Sequence, residues 1–159
     1  MTLGDALARA TARLAEAGIE SARLEAELLL SKACDDCARA LLYAELDREV
    51  TQEQIDAFEA NISRREKREP LAYVLGEWGF RRLTLKTDRR ALIPRPETEV
   101  VVERALEHIR GLDEPDVLDV GTGTGAIALA IADEARDARV TAIDASPDAL
   151  ALARENLDL

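Results

Sequence analysis

The sequence predicts a small helical bundle, a short β-hairpin and then the first β-α-β part of a parallel, doubly wound sheet, so an α plus α/β architecture. Three observations carry this. Apolar residues recur at helical spacing through about the first seventy positions. After Pro70 that period gives way to short alternating runs. From Asp116 the chain reads strand, glycine turn, helix, strand, helix. The expected divisions are residues 1–70, a helical domain; residues 71–90, a linker with the hairpin; and residues 91–159, a partial α/β domain.

Thr2 and Asp5 form a capping-box pair, and Leu3, Leu7, Ala10 and Leu14 follow on one helical face. Gly18 is a natural stop. Ser21 is expected to open a second helix with Leu24 and the run Leu28 to Leu30 on its buried side, broken by Asp35 and Asp36. Ala38 to Ala44 predicts a short third helix. Thr51 and Gln54 repeat the capping signature. Ile55, Phe58 and Ile62 then share a face of a fourth helix, expected to run to about Glu69 and to end at Pro70. Trp78 to Phe80 and Leu83 to Thr87 read as strands, with Leu83 and Leu85 alternating with polar residues. Pro96 suits the first turn of a helix, and Glu97 and Glu99 suit its dipole. Val101, Val102, Ala105, Leu106 and Ile109 are its expected apolar residues, and Gly111 its end. Strands over Val117–Val120 and Val140–Ile143 bracket a small-residue helix over Ala126–Ala135, and Pro147–Asn156 closes the series. Two strands alone cannot bury both faces of a parallel sheet. The expectation is that further chain or a partner completes it.

Composition narrows the function classes. The formal net charge is −11, which repels phosphate backbones and argues against nucleic acid as the main partner. The basic run Arg64, Arg65, Lys67 and Arg68 reads first as a solvated helix end, with contact to an acidic partner or RNA as the alternative. No apolar stretch reaches the length of a membrane span and Met1–Asp5 lacks a basic leader, so a cytoplasmic location is expected. Cys34 and Cys37 have the C-x-x-C spacing of half a zinc site or a redox pair. The single histidine, His108, is distant in sequence and no strand precedes Cys34, so two reduced, partly buried thiols are the expected state.

The chemistry is concentrated in Asp119-Val120-Gly121-Thr122-Gly123-Thr124-Gly125. Glycines at the mouth of a strand admit close backbone approach to a ligand, and the next helix offers its N–H groups. Gly121-x-Gly123-x-x-Ala126 also satisfies a dinucleotide fingerprint, whereas no Gly-Lys-Ser/Thr follows to make a P-loop. Three features favour S-adenosylmethionine: acidic Asp119 two residues before the first glycine, a third glycine at 125, and no basic residue in the turn to meet a pyrophosphate. Asp144 ends the second strand nineteen residues past Gly125, where a carboxylate can accept from both ribose hydroxyls. That position fits either cofactor. The candidate cofactor-binding residues are therefore Gly121, Thr122, Gly123, Thr124, Gly125 and Asp144.

Two upstream segments make the resemblance specific. Pro70-Leu71-Ala72-Tyr73-Val74-Leu75-Gly76-Glu77-Trp78-Gly79-Phe80 and Leu92-Ile93-Pro94-Arg95-Pro96-Glu97-Thr98-Glu99, in order with Val117 to Ile127, resemble signatures of the glutamine N5-methyltransferases of peptide chain release factors, the HemK or PrmC family. The resemblance covers essentially the whole chain. It implies a helical release-factor-binding domain and a Rossmann-like class I methyltransferase domain that uses S-adenosyl-L-methionine. The implied reaction methylates the side-chain amide of glutamine in a Gly-Gly-Gln loop. Gly121 to Gly125 would lie along the methionine part of the cofactor, Asp144 would take the ribose, and Arg95 and Thr98 would border the pocket. In that family an Asn-Pro-Pro-Tyr motif holds the amide. Neither asparagine here, Asn61 or Asn156, precedes a proline. No catalytic residue is therefore assigned, no metal is expected, and the chain alone is expected to be inactive. The alternatives are a non-catalytic release-factor-binding module, a dinucleotide enzyme, and another class I methyltransferase such as an adenine-specific DNA enzyme.

Overall fold

The computed structural model describes residues 1–34 and 39–159. Cα packing separates two compact units, Met1–Leu75 and Gly76–Leu159.

The first unit holds five helices among the described residues: α1 Leu3–Glu16, α2 Ala22–Ala33, α3 Arg39–Ala44, α4 Gln52–Glu66 and α5 Leu71–Leu75. Both capping boxes form. Thr2 accepts from the Asp5 N–H while Asp5 accepts from that of Thr2, and Thr51 and Gln54 do the same. Each such cap stabilises its helix by about 1 kcal/mol. Gly18 takes φ +71° just past α1, the left-handed stop that glycine allows. Leu3, Leu7 and Leu14 of α1 pack with Leu29 and Leu30 of α2 and Phe58 and Ile62 of α4 in one apolar core. The chain start is tied down as well: Leu3 N–H donates to the Arg48 carbonyl at 2.9 Å.

Three expectations change here. Leu24 is 44% exposed, because α2 turns Glu25 and Glu27 inward instead. α4 ends at Glu66, three residues early; Arg68 adopts φ +65° and breaks the helix before Pro70. Pro70 then leads into α5, which the apolar pattern did not single out. The expected break at Asp35–Asp36, the start of α3 at Ala38, and Cys37 lie outside the described residues.

The inward carboxylates have partners. Glu25 receives Arg65 of α4. Glu27 accepts from Arg23, from Arg39 and from the Tyr43 hydroxyl. On α1, Arg13 makes two 2.8 Å bonds to Glu66 and also meets Glu59. The basic run is divided: Arg64 pairs with Glu69 and donates to the Tyr73 carbonyl and Arg65 is held by Glu25, while Lys67 and Arg68 are exposed. It is not simply a solvated helix end.

The second unit is α/β. Strands β1 Glu77–Phe80 and β2 Leu83–Lys86 pair antiparallel. Helix α6, Pro96–Ile109, follows with Pro96 in its first turn. Then come β3 Asp116–Val120, α7 Ala126–Glu134, β4 Arg139–Ile143 and α8 Pro147–Leu157. β3 and β4 are parallel, with Val117 opposite Val140 and Val120 opposite Ile143. Phe80, Leu85, Val102, Ala130 and Ile131 form the core, with Val117 and Val140 packed against it. Val101 of α6 is 54% exposed, so Val102 is the residue of that pair that reaches the core. Alternation along β3 sends Leu118 and Val120 to the other face, where they are 60% and 70% exposed. Among the described residues no helix is long and apolar enough to cross a membrane.

Burial alone would raise the Glu27 carboxyl pKa, but hydrogen bonds from Tyr43, Arg39 and Arg23 outweigh it and hold the group at about 2, against an ordinary 4.5. A folded-state value below the unfolded one stabilises the fold above the ordinary value, and that contribution fades as pH falls toward the folded value. Glu27→Gln should cost about 1–3 kcal/mol at neutral pH, at the low end of buried-pair losses because Arg23 and Arg39 are half-exposed and screened. In urea titrations the gap between wild type and variant should narrow as pH is lowered through the ordinary carboxylate range. A constant gap would contradict this account.

Candidate functional site

The site is built where β3 and β4 end side by side. Their parallel register brings the turn after Val120 against the end of β4 at Ile143. Gly121 and Thr122 both donate their N–H to the Ile143 carbonyl, at 2.8 and 3.0 Å. Asp144 follows at once. One of its carboxylate oxygens accepts from the Gly123 N–H and the other from the Ser146 N–H, each at 2.9 Å. These bonds, Ser146 first and then Gly123, hold its carboxyl below the usual range. Each oxygen keeps a further lone pair.

The three glycines of the turn all take left-handed backbone, with φ of +79°, +57° and +85° at 121, 123 and 125. Gly125 is also cramped. A Cβ there would lie 3.1 Å from Leu129 Cδ1 and 3.3 Å from Ala153 Cβ, whereas one on Gly121 would meet nothing within 4 Å. Thr122 donates its hydroxyl to buried Asp119 at 2.7 Å, so the acidic residue before the glycines braces the turn from below. Gly125 donates to the Thr122 carbonyl at 2.9 Å. Four of the five turn N–H groups, those of residues 121, 122, 123 and 125, are therefore occupied by acceptors of the protein itself.

Arg95 caps α6 from outside and is exposed, and the Thr98 N–H donates to its carbonyl at 3.0 Å. Neither side chain hydrogen-bonds the glycine turn among the described residues. Their segment does approach it, since Ala91 Cβ lies 3.8 Å from where a Cβ on Gly123 would stand. Cys34 is buried, and the described residues include no cluster of metal-ligating side chains. Sequence reasoning missed Asn156, which is buried and bonds to Thr124 of the turn. Its signal was a polar residue on the apolar stripe of α8 formed with Ala149 and Leu152.

Comparison with known proteins bears on both units. Residues 5–76 match the family described as the PrmC N-terminal domain, and residues 117–159 match one described as a methyltransferase domain. The release factor glutamine methyltransferase of Deinococcus radiodurans is 46% identical over 161 residues, covering 100% of this chain and 57% of that protein. Along essentially its whole length the chain is similar to release factor glutamine methyltransferases. The Moorella thermoacetica relative of the same name is 45% identical over 156 residues, 98% of this chain and 55% of its own length. That of Vibrio cholerae is 43% identical over 158 residues, covering 98% and 54%. The chain thus spans about half the length of the curated family members it matches.

The glycine geometry predicts unequal substitutions. Gly121→Ala should cost about 1 kcal/mol for backbone strain alone. Gly125→Ala adds an overpacked methyl against Leu129 and Ala153, for a further 1–3 kcal/mol or so. Thermal melts of the two variants should rank them in that order, and equal losses would show that the packing beneath Gly125 is wrongly assigned.

Proposed function

We propose that the second unit binds S-adenosyl-L-methionine at the glycine turn and Asp144, and is part of a class I, Rossmann-like methyltransferase domain. The observation that carries this is the occupied turn. A pyrophosphate is held by free backbone N–H groups at a helix N-terminus. Four of the five N–H groups of the turn itself already have partners within the chain, and the turn has no basic side chain. That favours a zwitterionic nucleoside over a dinucleotide. Asp144, kept ionised by Ser146 and Gly123, has lone pairs for both ribose hydroxyls. Gly121 to Gly125 would run along the methionine portion, and Arg95 and Thr98 would stand at the pocket rim.

In the full-length relatives' reaction, as the name of the family suggests, the methyl goes to a release factor glutamine. We place the target in the Gly-Gly-Gln loop and assign the helical unit to holding the release factor. When bound, the cofactor supplies a methyl on a sulfonium. An amide nitrogen is a poor nucleophile, so it must be placed in line and polarised. None of the asparagines here is followed by proline. These 159 residues therefore supply cofactor binding and docking, and by themselves no methyl transfer.

Isothermal titration of the chain with S-adenosylhomocysteine and with NAD tests the reading. S-adenosylhomocysteine should bind and NAD should not, and Asp144→Ala should weaken binding about tenfold or more. Because the Asp144 pKa is lowered, the carboxylate stays charged as pH falls, and affinity should hold steady from neutral pH to about 5. Preferential binding of NAD would overturn the cofactor assignment. Transfer of labelled methyl to a release factor by the chain alone would overturn the claim of inactivity.

A further inference from the structure

We propose that Asn156 is a positioning residue for the amino-acid end of the cofactor, an inference that rests on the cofactor reading above. Asn156 sits near the end of α8 and is buried. Its Oδ1 accepts from the Lys86 N–H at 2.6 Å. Its Nδ2 donates to the Lys86 carbonyl at 3.1 Å and to the Thr124 carbonyl at 2.9 Å. Lys86 presents a donor and an acceptor side by side, so one orientation of the amide satisfies all three bonds. The side chain therefore joins three elements of the unit: strand β2, helix α8 and the glycine turn.

Its neighbours act in the same place. Ala153, one helical turn earlier, is the residue against which Gly125 packs. Glu155 receives Lys86 and Arg90, and Arg90 also holds Asp88. The end of α8 thus fastens the segment after β2, which leads to Ala91 beside Gly123. Of these contacts only the Asn156–Thr124 bond reaches the turn backbone through a hydrogen bond. Thr124 lies between Gly123, which Ala91 approaches, and the crowded Gly125, and its carbonyl accepts from this amide group. Asp144 anchors the turn at Gly123, at the ribose side. Asn156 anchors it from the other side.

The two anchors make separable predictions. A ligand with ribose but no amino-acid portion depends on Asp144, whereas a ligand that also runs along Gly121–Gly125 depends on the set of the whole turn. Asn156→Leu keeps the approximate volume and removes all three bonds. In the 159-residue chain it should weaken S-adenosylhomocysteine about tenfold, the loss of roughly one buried hydrogen-bond set, while adenosine affinity changes less than about threefold. Amide hydrogen exchange at Gly125 should quicken in the same variant. Asn156→Asp keeps an oxygen for the Lys86 N–H but loses both donors, and should reproduce the ligand discrimination if the leucine variant folds poorly. Leu152→Ala, buried on the same helix, should lower the melting temperature and leave the ratio of the two affinities unchanged. Equal weakening of both ligands, or no weakening of S-adenosylhomocysteine, would overturn the inference. A wild-type chain that binds neither ligand would instead overturn the cofactor reading, and this inference with it.

Discussion

The Asp144 carboxylate accepts one backbone N–H from the glycine turn and one from the start of the next helix, each at 2.9 Å. The candidate site depends on that double acceptance. Parallel pairing of β3 and β4 delivers the two strand ends to the same level, but pairing alone stops at Ile143. Beyond it the chain turns from β3 into α7 and from β4 into α8. An apolar side chain at 144 would leave two N–H groups to water. A carboxylate there gathers both turns around one charge, and charge-assisted bonds of this kind are roughly twice as strong as neutral ones. The same two bonds leave each carboxylate oxygen a further lone pair for the ribose proposed to sit there.

The helical unit solves a different problem. The chain is strongly acidic, at −11, and two of its glutamates, Glu25 and Glu27, are turned into the bundle. Each is met by arginine from a neighbouring helix or turn, so the ion pairs tie α2 to α4 and to α3. Arg13 does the same between α1 and α4. Arginine suits these places because its planar fork meets a carboxylate at two points. Of the basic residues near the end of α4, Arg64 and Arg65 are engaged in this way, while Lys67 and Arg68 are exposed.

Much of this was legible beforehand, and the failures share a cause. Helix starts at Thr2 and Thr51 were visible because a capping box is written in two residues three apart. The order of strands and helices from Asp116 was visible because the hydrophobic period changes and glycines mark the turn. Leu24 was misplaced because periodicity counts apolar residues, and a glutamate buried by an arginine forty residues further along the chain, on α4, leaves no local trace. The end of α4 was placed late because Pro70 is conspicuous, whereas the left-handed Arg68 that stops the helix is not. In the site, Gly121, Gly123, Gly125 and Asp144 were identified from spacing. Their mutual hydrogen bonds, and the bond from Asn156 to Thr124, depend on tertiary contacts between residues far apart in sequence. Those partners emerge only once the two strands are paired and α8 is packed.

The central claim is that one ligand sits across Gly121–Gly125 and Asp144. The most direct test is a backbone amide NMR titration of the 159-residue chain with S-adenosylhomocysteine. The account predicts saturable shifts concentrated at the amides of Gly121, Gly123, Gly125, Ser146 and Ala91, with the helical unit unchanged. Shifts that saturate elsewhere, with the amides of the glycine turn and Ser146 unmoved, would contradict it.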